Sequence, residues 1–156
     1  MKKLLILAGF LLLFSTVGAA NAQTRKFVGA AEVNGTFRSY FGGKFKGSYN
    51  EIKILALGGG KLRVALELIY PYITSAGEMS ANVGTADGTA AIAGDTAIFS
   101  PDENGKCVIT IKFVRRGAIE VSQTGVDSEC GFGFNVNASG MYKKTNGAKP
   151  KFNVLN

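Results

Sequence analysis

Hydrophobic and polar residues alternate with a period of two along most of this chain, the spacing of a strand with one buried face. The cleanest case runs from Cys107, where Ile109, Ile111 and Phe113 alternate with Val108, Thr110 and Lys112. Arg115-Arg116-Gly117 then reads as a three-residue connection whose glycine supplies the positive φ of its last position. Closing that loop sets Val114 opposite Ala118, Phe113 opposite Ile119 and Ile111 opposite Val121 on an apolar face. Lys112 opposite Glu120 and Thr110 opposite Ser122 then fall on the wet face as favourable cross-strand pairs. A slip of one residue would turn over every side chain of one strand and spoil both faces.

The same period recurs elsewhere. Gly35 to Phe41 and Phe45 to Leu57 read as strands divided by Gly42-Gly43, and Gly58-Gly59-Gly60 marks the next turn. Leu62, Val64, Leu66, Leu68 and Tyr70 form the longest clean alternation, which Pro71 is expected to end for want of an N–H. Met79, Ala81 and Val83 restart it with those residues inward. Asp87-Gly88 and Gly94-Asp95 read as turns on either side of a short strand, TAAIA, followed by TAIF up to Ser100-Pro101. A last strand carries Val136, Ala138, Gly140 and Tyr142 on one face. No stretch after the leader keeps a 3.6-residue period. The prediction is an all-β fold, an antiparallel up-and-down meander of about eight strands closed into a small barrel or a flattened sandwich. Gly47-Ser48-Tyr49 and Gly140-Met141-Tyr142 share a Gly-x-Tyr pattern, which suggests that both lie near the seam where first and last strands pair.

The first residues change the picture by giving an address. Two lysines, an apolar run from Leu4 to Phe14 and then Ala20-Asn21-Ala22 have the three regions of a secretory signal peptide. The expected organisation is therefore a leader over 1–22, a single domain over 23–144 and a loosely held basic tail over 145–156. It implies a bacterial periplasmic or secreted protein without a transmembrane segment in the mature chain. In that compartment the only two cysteines, Cys107 and Cys130, are expected to form one structural disulfide. The formal net charge of +7 falls to +5 when Lys2 and Lys3 leave with the leader. The excess is concentrated in residues 25–63 and in the tail, which allows attraction to an anionic envelope polymer or lipid. Nucleic acid is disfavoured by the address and by the lack of a binding motif.

The chain has no histidine, which excludes a histidine base and every histidine-containing metal site. Bridged cysteines leave no thiolate, so no metal and no cofactor is expected. Glu67 and Glu78 could meet across a pair of strands as a glycosidase pair does, but both fall on faces read as solvated. Gly58-Gly59-Gly60-Lys61 lacks the glycine spacing and helix of a phosphate loop, and Asp102-Glu103-Asn104-Gly105 lacks the calcium-loop period. A non-enzyme is expected. Arg115 and Arg116 at a hairpin tip could grip a carboxylate or phosphate. Phe132 and Phe134 are read as core packing beside the disulfide.

The segment CGFGFNVNASGMYKK, residues 130–144, resembles the ending of small exported bacterial β-proteins and, more distantly, modules of bacterial lysozyme inhibitors. In those inhibitors a loop with Ser-Gly and a nearby Tyr enters the lysozyme cleft; here Ser139-Gly140 and Tyr142 match. The resemblance implies a compact disulfide-bonded β-fold and a surface that binds a protein. The reading is thus a non-enzymatic binding protein acting on a protein or anionic envelope polymer, with Arg115, Arg116, Ser139 and Tyr142 as contacts. The alternative is a carrier barrel for a small apolar ligand, with Ala81, Ala90, Ala138 and Gly140 leaving room inside and Phe113, Leu66 and Tyr70 filling it.

Overall fold

The computed structural model describes residues 27–101, 105–115 and 117–152. The expectations for the leader, for Asp102 to Asn104 and for Arg116 fall outside these residues. Eight antiparallel strands follow one another around a closed barrel: β1 (Gly35–Tyr40), β2 (Tyr49–Gly58), β3 (Lys61–Ile73), β4 (Met79–Ala93), β5 (Thr96–Phe99), β6 (Val108–Arg115), β7 (Ala118–Thr124) and β8 (Gly140–Asn146). β1 closes the ring on β8. The meander therefore closes as a barrel, and the one disulfide joins Cys107 to Cys130. Closing that loop removes freedom from the unfolded chain, worth about 3 kcal/mol on the loop-entropy account.

A barrel of eight strands is just wide enough for its own side chains to fill it. Phe37, Ile52, Ile54, Val64, Leu66, Leu68, Phe99, Ile109, Ile111, Phe113, Ile119 and Tyr142 are fully buried and join one core cluster. One end of the barrel, the helix end, is covered by the short α1 (Ala30–Val33), whose Val33 joins the core. Lys144 on β8 holds α1 in place: its Nζ donates to the carbonyls of Ala31, Glu32 and Asn34 at 3.2, 2.6 and 2.8 Å. An ammonium at the carbonyl end of a helix also suits the helix dipole. The other end, the disulfide end, is covered by the long connection from β7 to β8 that contains Cys130.

The hairpin of β6 and β7 keeps the predicted pairs Ile111–Val121, Lys112–Glu120 and Thr110–Ser122. Its last turn differs. Arg115, not Val114, lies opposite Ala118, and the register shifts between Lys112 and Arg115. A bulge there inserts an extra residue while the Phe113 amide pairs sideways with the Asp95 carbonyl at 2.8 Å.

Three readings of β3 and β4 are corrected. Pro71 does not end β3, which continues to Ile73 with Pro71 opposite Ala81. β2 begins only at Tyr49, and the Ile69 amide is already satisfied there by the Asn50 side chain at 2.8 Å. Pro71, two residues on, turns its missing donor to the same strand-free side. Asp87-Gly88 is not a turn; β4 runs through it without interruption. Gly84 and Gly88 serve close packing instead, since a Cβ on Gly84 would come within 2.8 Å of the Phe132 ring and one on Gly88 within 3.0 Å of Phe99. Finally, Met79, Ala81 and Val83 face out, with Met79 64% and Val83 63% exposed. Gly84 forces this phase, because the position that admits the Phe132 ring must point inward.

The small interior residues are corrected accordingly. Ala90 and Ala138 are buried, but Ala81 and Gly140 are exposed, and Tyr70 is 40% exposed near the barrel's rim. Val136 and Ala138 are buried from the β7–β8 connection, since β8 begins only at Gly140. Phe132 packs in the core as expected, whereas Phe134 is 74% exposed. The two Gly-x-Tyr patterns do not meet as a seam pair: Tyr49 lies on β2 opposite Tyr40, and the seam pairs Thr36, Phe37 and Arg38 with Asn146, Lys144 and Lys143.

Candidate functional site

The predicted contact residues are split between the two ends of the barrel. Arg115 is exposed at the helix end, where β6 turns into β7. Ser139 precedes β8 at the disulfide end, one residue before Gly140, which pairs with Val121. The length of β7 separates them, roughly 10 Å or more at the rise of a strand. Tyr142 belongs to neither surface. It is fully buried, and its hydroxyl donates to the Ala138 carbonyl at 2.8 Å. Burial pushes its pKa up to about 12, against a smaller lowering by a hydrogen bond with Asn50.

Ser139 is half of a local scaffold. Its Oγ accepts the Gln123 amide at 3.0 Å, and its own amide donates to Asn137 Oδ1 at 2.8 Å. It lines a shallow cleft of about 230 Å³ with Tyr40, Asn50, Tyr70, Asn135 and Asn137. At the helix end, a more apolar cavity of about 290 Å³ lies under α1, against Val28, Val33, Ala56, Leu62 and Ile92.

A larger cleft lies elsewhere, on the outer face of β2, β3 and β4. It measures about 580 Å³ and carries Tyr49, Glu51, Lys53, Glu67, Asp87 and Phe152 among its lining residues. Register explains the assembly. Arg38, Glu51, Glu67 and Thr85 lie in one cross-strand row, and Lys53, Ala65 and Asp87 in the next. Strand alternation turns all of them outward, setting Arg38 opposite Glu51 and the like-charged Glu51 and Glu67 opposite each other, with Lys53 in the next row between the two carboxylates.

The result is a relay of ion pairs. Arg38 Nε donates to Glu51 Oε2 at 2.6 Å while its guanidinium lies 4.1 Å from the Tyr49 ring centre. Lys53 Nζ bridges Glu51 Oε1 at 3.3 Å and Glu67 Oε1 at 2.7 Å. Arg63 takes Asp87 with both donors, Nε to Oδ1 at 3.2 Å and Nη2 to Oδ2 at 2.9 Å. The Glu51 carboxylate raises the Arg38 pKa, the Glu67 hydrogen bond raises that of Lys53 against partial burial, and Asp87 raises that of Arg63. Glu51 is the unusual member. It sits on the outside of a barrel, yet its side chain is only 8% exposed and two cations neutralise it.

Glu67 and Glu78, the pair considered from the sequence, do not meet. Glu67 lies opposite Thr85, and Glu78 lies in the turn beyond the Ile73–Met79 pair. The carboxylate beside Glu67 is Glu51, its partner across β2 and β3. Among the described residues no group of three or more cysteines and carboxylates comes together as a metal site, and no helix is long and apolar enough to cross a membrane.

Sequence reasoning missed Glu51, Lys53, Arg63 and Asp87 as a group. Each was visible as a polar residue in an alternating run, but only the register between strands makes them neighbours. No family model, no curated protein and no solved structure matches this chain.

Proposed function

We propose that this chain is a non-enzymatic binding protein of the bacterial envelope, periplasmic or secreted, that acts through its outer surface on a protein or envelope polymer. The observation that carries this reading is the outer-face cleft of about 580 Å³, where apolar walls enclose an ordered row of charges. Binding favours such fixed, pre-paired charges, because little side-chain freedom is lost when a ligand replaces water. Catalysis asks for something else. A glycosidase needs one carboxyl group to give a proton and another free to attack or activate water, whereas Glu51 and Glu67 share the Lys53 ammonium.

The reading is tested by following backbone and methyl NMR signals while titrating envelope polymers and a panel of lysozymes, with product analysis in parallel. Saturable shifts at Tyr49, Ile69 and Val83 without turnover are expected. Shifts confined to Ser139 and its neighbours would move the site to the disulfide end and favour the lysozyme-inhibitor-like form. Hydrolysis of any polymer would overturn the non-enzymatic reading.

A second reading, a carrier for a small apolar ligand, is favoured by the apolar cavity under α1. At about 290 Å³ it is at the small end of ligand pockets. Native mass spectrometry of protein recovered gently from its source decides this reading: a small molecule released on denaturation supports it, and a bare mass removes it.

A further inference from the structure

The outer-face cleft is already in contact with part of the chain. After β8 ends at Asn146, beside Thr36 on β1, residues 147–152 leave the barrel wall. The rows of the sheet run from Thr36 through Lys53 and Ala65 to Asp87, so reaching Arg63 from Asn146 means crossing the outside of β1 and β2. At about 4.8 Å per spacing, the three steps from β8 to β3 come to roughly 14 Å, within reach of six residues. The segment ends with the Phe152 ring in the cleft, its centre 4.4 Å from the Arg63 guanidinium carbon.

The way the segment is held suggests what the cleft prefers. Among the described residues, 149–152 make no hydrogen bond, and Lys149 and Lys151 are exposed without an ion pair. Phe152 is the anchor and is half-buried. Its ring lies against the Arg63 guanidinium, whose donors are held by Asp87, so the contact is a cation–aromatic one. Ile69, Val83 and Tyr49 supply apolar walls, while the lining carries the carboxylates of Glu51, Glu67 and Asp87 against the single ammonium of Lys53, with Glu67 half-exposed. The cleft thus complements an aromatic side chain flanked by lysines. The tethered segment uses the aromatic half of that complementarity and leaves both lysines in water.

We propose that the outer-face cleft is a receptor for an extended peptide segment bearing an aromatic residue beside lysines, and that the protein's own Lys149 to Phe152 segment covers it until such a ligand arrives. The proposal rests on the reading of this cleft as the binding site. A free segment, not tied to β8, can set its lysines against Glu67 and Asp87 as well as its ring on Arg63. It displaces the internal segment, which is held by one ring but benefits from a high effective concentration.

The experiment compares the full-length wild type with Phe152→Ala, each titrated with a labelled peptide of residues 149–156, KPKFNVLN, by fluorescence anisotropy and methyl NMR. Phe152 is partly exposed and lies outside the barrel core, so the variant keeps its fold, which a thermal melt checks. The variant is expected to bind the peptide saturably, with shifts at Ile69 and Val83, and about ten-fold or more tighter than the wild type. A peptide with alanine in place of its phenylalanine should not bind. Equal affinity for wild type and variant would show that Phe152 does not guard the cleft and would overturn the proposal. If the peptide fails on the variant while an envelope polymer still shifts the cleft signals, the peptide class is wrong and the cleft reading stands. Silence of the cleft towards every ligand would overturn both.

Discussion

On β2, Ile52 and Ile54 point into the barrel while Glu51 and Lys53, their immediate neighbours, point out of it; β3 alternates Val64, Leu66 and Leu68 with Arg63, Ala65 and Glu67 in the same way. One backbone therefore carries two surfaces built by different physics. The inner one gains from burial and dispersion, which are non-directional and demand only that volumes fit. The outer one consists of ion pairs whose geometry depends on which rows face each other, and each exposed pair adds little stability. The inner face accounts for the fold. The outer face contributes little to folding, and its almost fully covered Glu51 lies in the cleft proposed to bind a ligand.

This contrast can be broken from the inside first. Leu66→Ala removes a fully buried side chain from the centre of the core and is expected to cost about 2–5 kcal/mol in denaturant unfolding. The Glu51–Glu67 row outside should keep its ion pairs in the folded variant. Loss of the cleft's NMR signature in still-folded protein would show that the two faces are coupled after all.

Tyr142 gives the interior a pH signature. Its folded pKa, about 12, stands above the ordinary tyrosine value of 10.0, so between these values the unfolded chain releases a proton that the folded barrel retains. Stability is therefore fully present below pH 10 and falls as pH rises towards 12, by about 2 kcal/mol between pH 9 and 11.5. Tyr142→Phe should lack this increment while losing about 1 kcal/mol at neutral pH for the missing hydrogen bond to Ala138. Parallel denaturant midpoints of both proteins across that range would refute the burial account.

The outer face should respond more weakly. Glu51→Gln leaves Arg38 and Lys53 without their shared anion and is expected to cost about 1–2 kcal/mol, a figure held down because Arg38 is 31% exposed. Its larger effect should be on ligand affinity. A variant that melts like the wild type and binds like it would remove Glu51 from the site. The smallest effect is expected at the helix end, where Arg115→Ala should change stability by less than about 0.5 kcal/mol, since Arg115 is exposed at a turn. A larger drop in its thermal melt would mean that the bulged turn depends on that side chain.

The accuracy of the sequence reading followed how local the determining contacts are. The hairpin of β6 and β7 was legible because its two strands adjoin in sequence and its polar pairs, Lys112–Glu120 and Thr110–Ser122, fix the register. β4 was misread because Asp87-Gly88 looks like a turn, yet Gly88 answers to Phe99 and Gly84 to Phe132, partners that only folding brings near. The same limit applies to the predicted contacts. The resemblance implied that Ser139 and Tyr142, three residues apart, both make contacts, but Tyr142 is drawn into the core, and Arg115 lies at the other end of β7.

The amino-acid sequence alone therefore determined the all-β class, the antiparallel order of short connections and the Cys107–Cys130 bridge, because alternation, turn residues and a lone cysteine pair are local or have one solution. The tertiary structure decided the closure of β1 on β8, the outward phase of Met79 and Val83, and the meeting of Arg38, Glu51, Lys53, Glu67, Arg63 and Asp87 on one face. Those outcomes depend on register and on ring packing between distant segments. A period of two states that a residue faces one of two sides, and only the closed barrel decides which side is inside and who stands next to it.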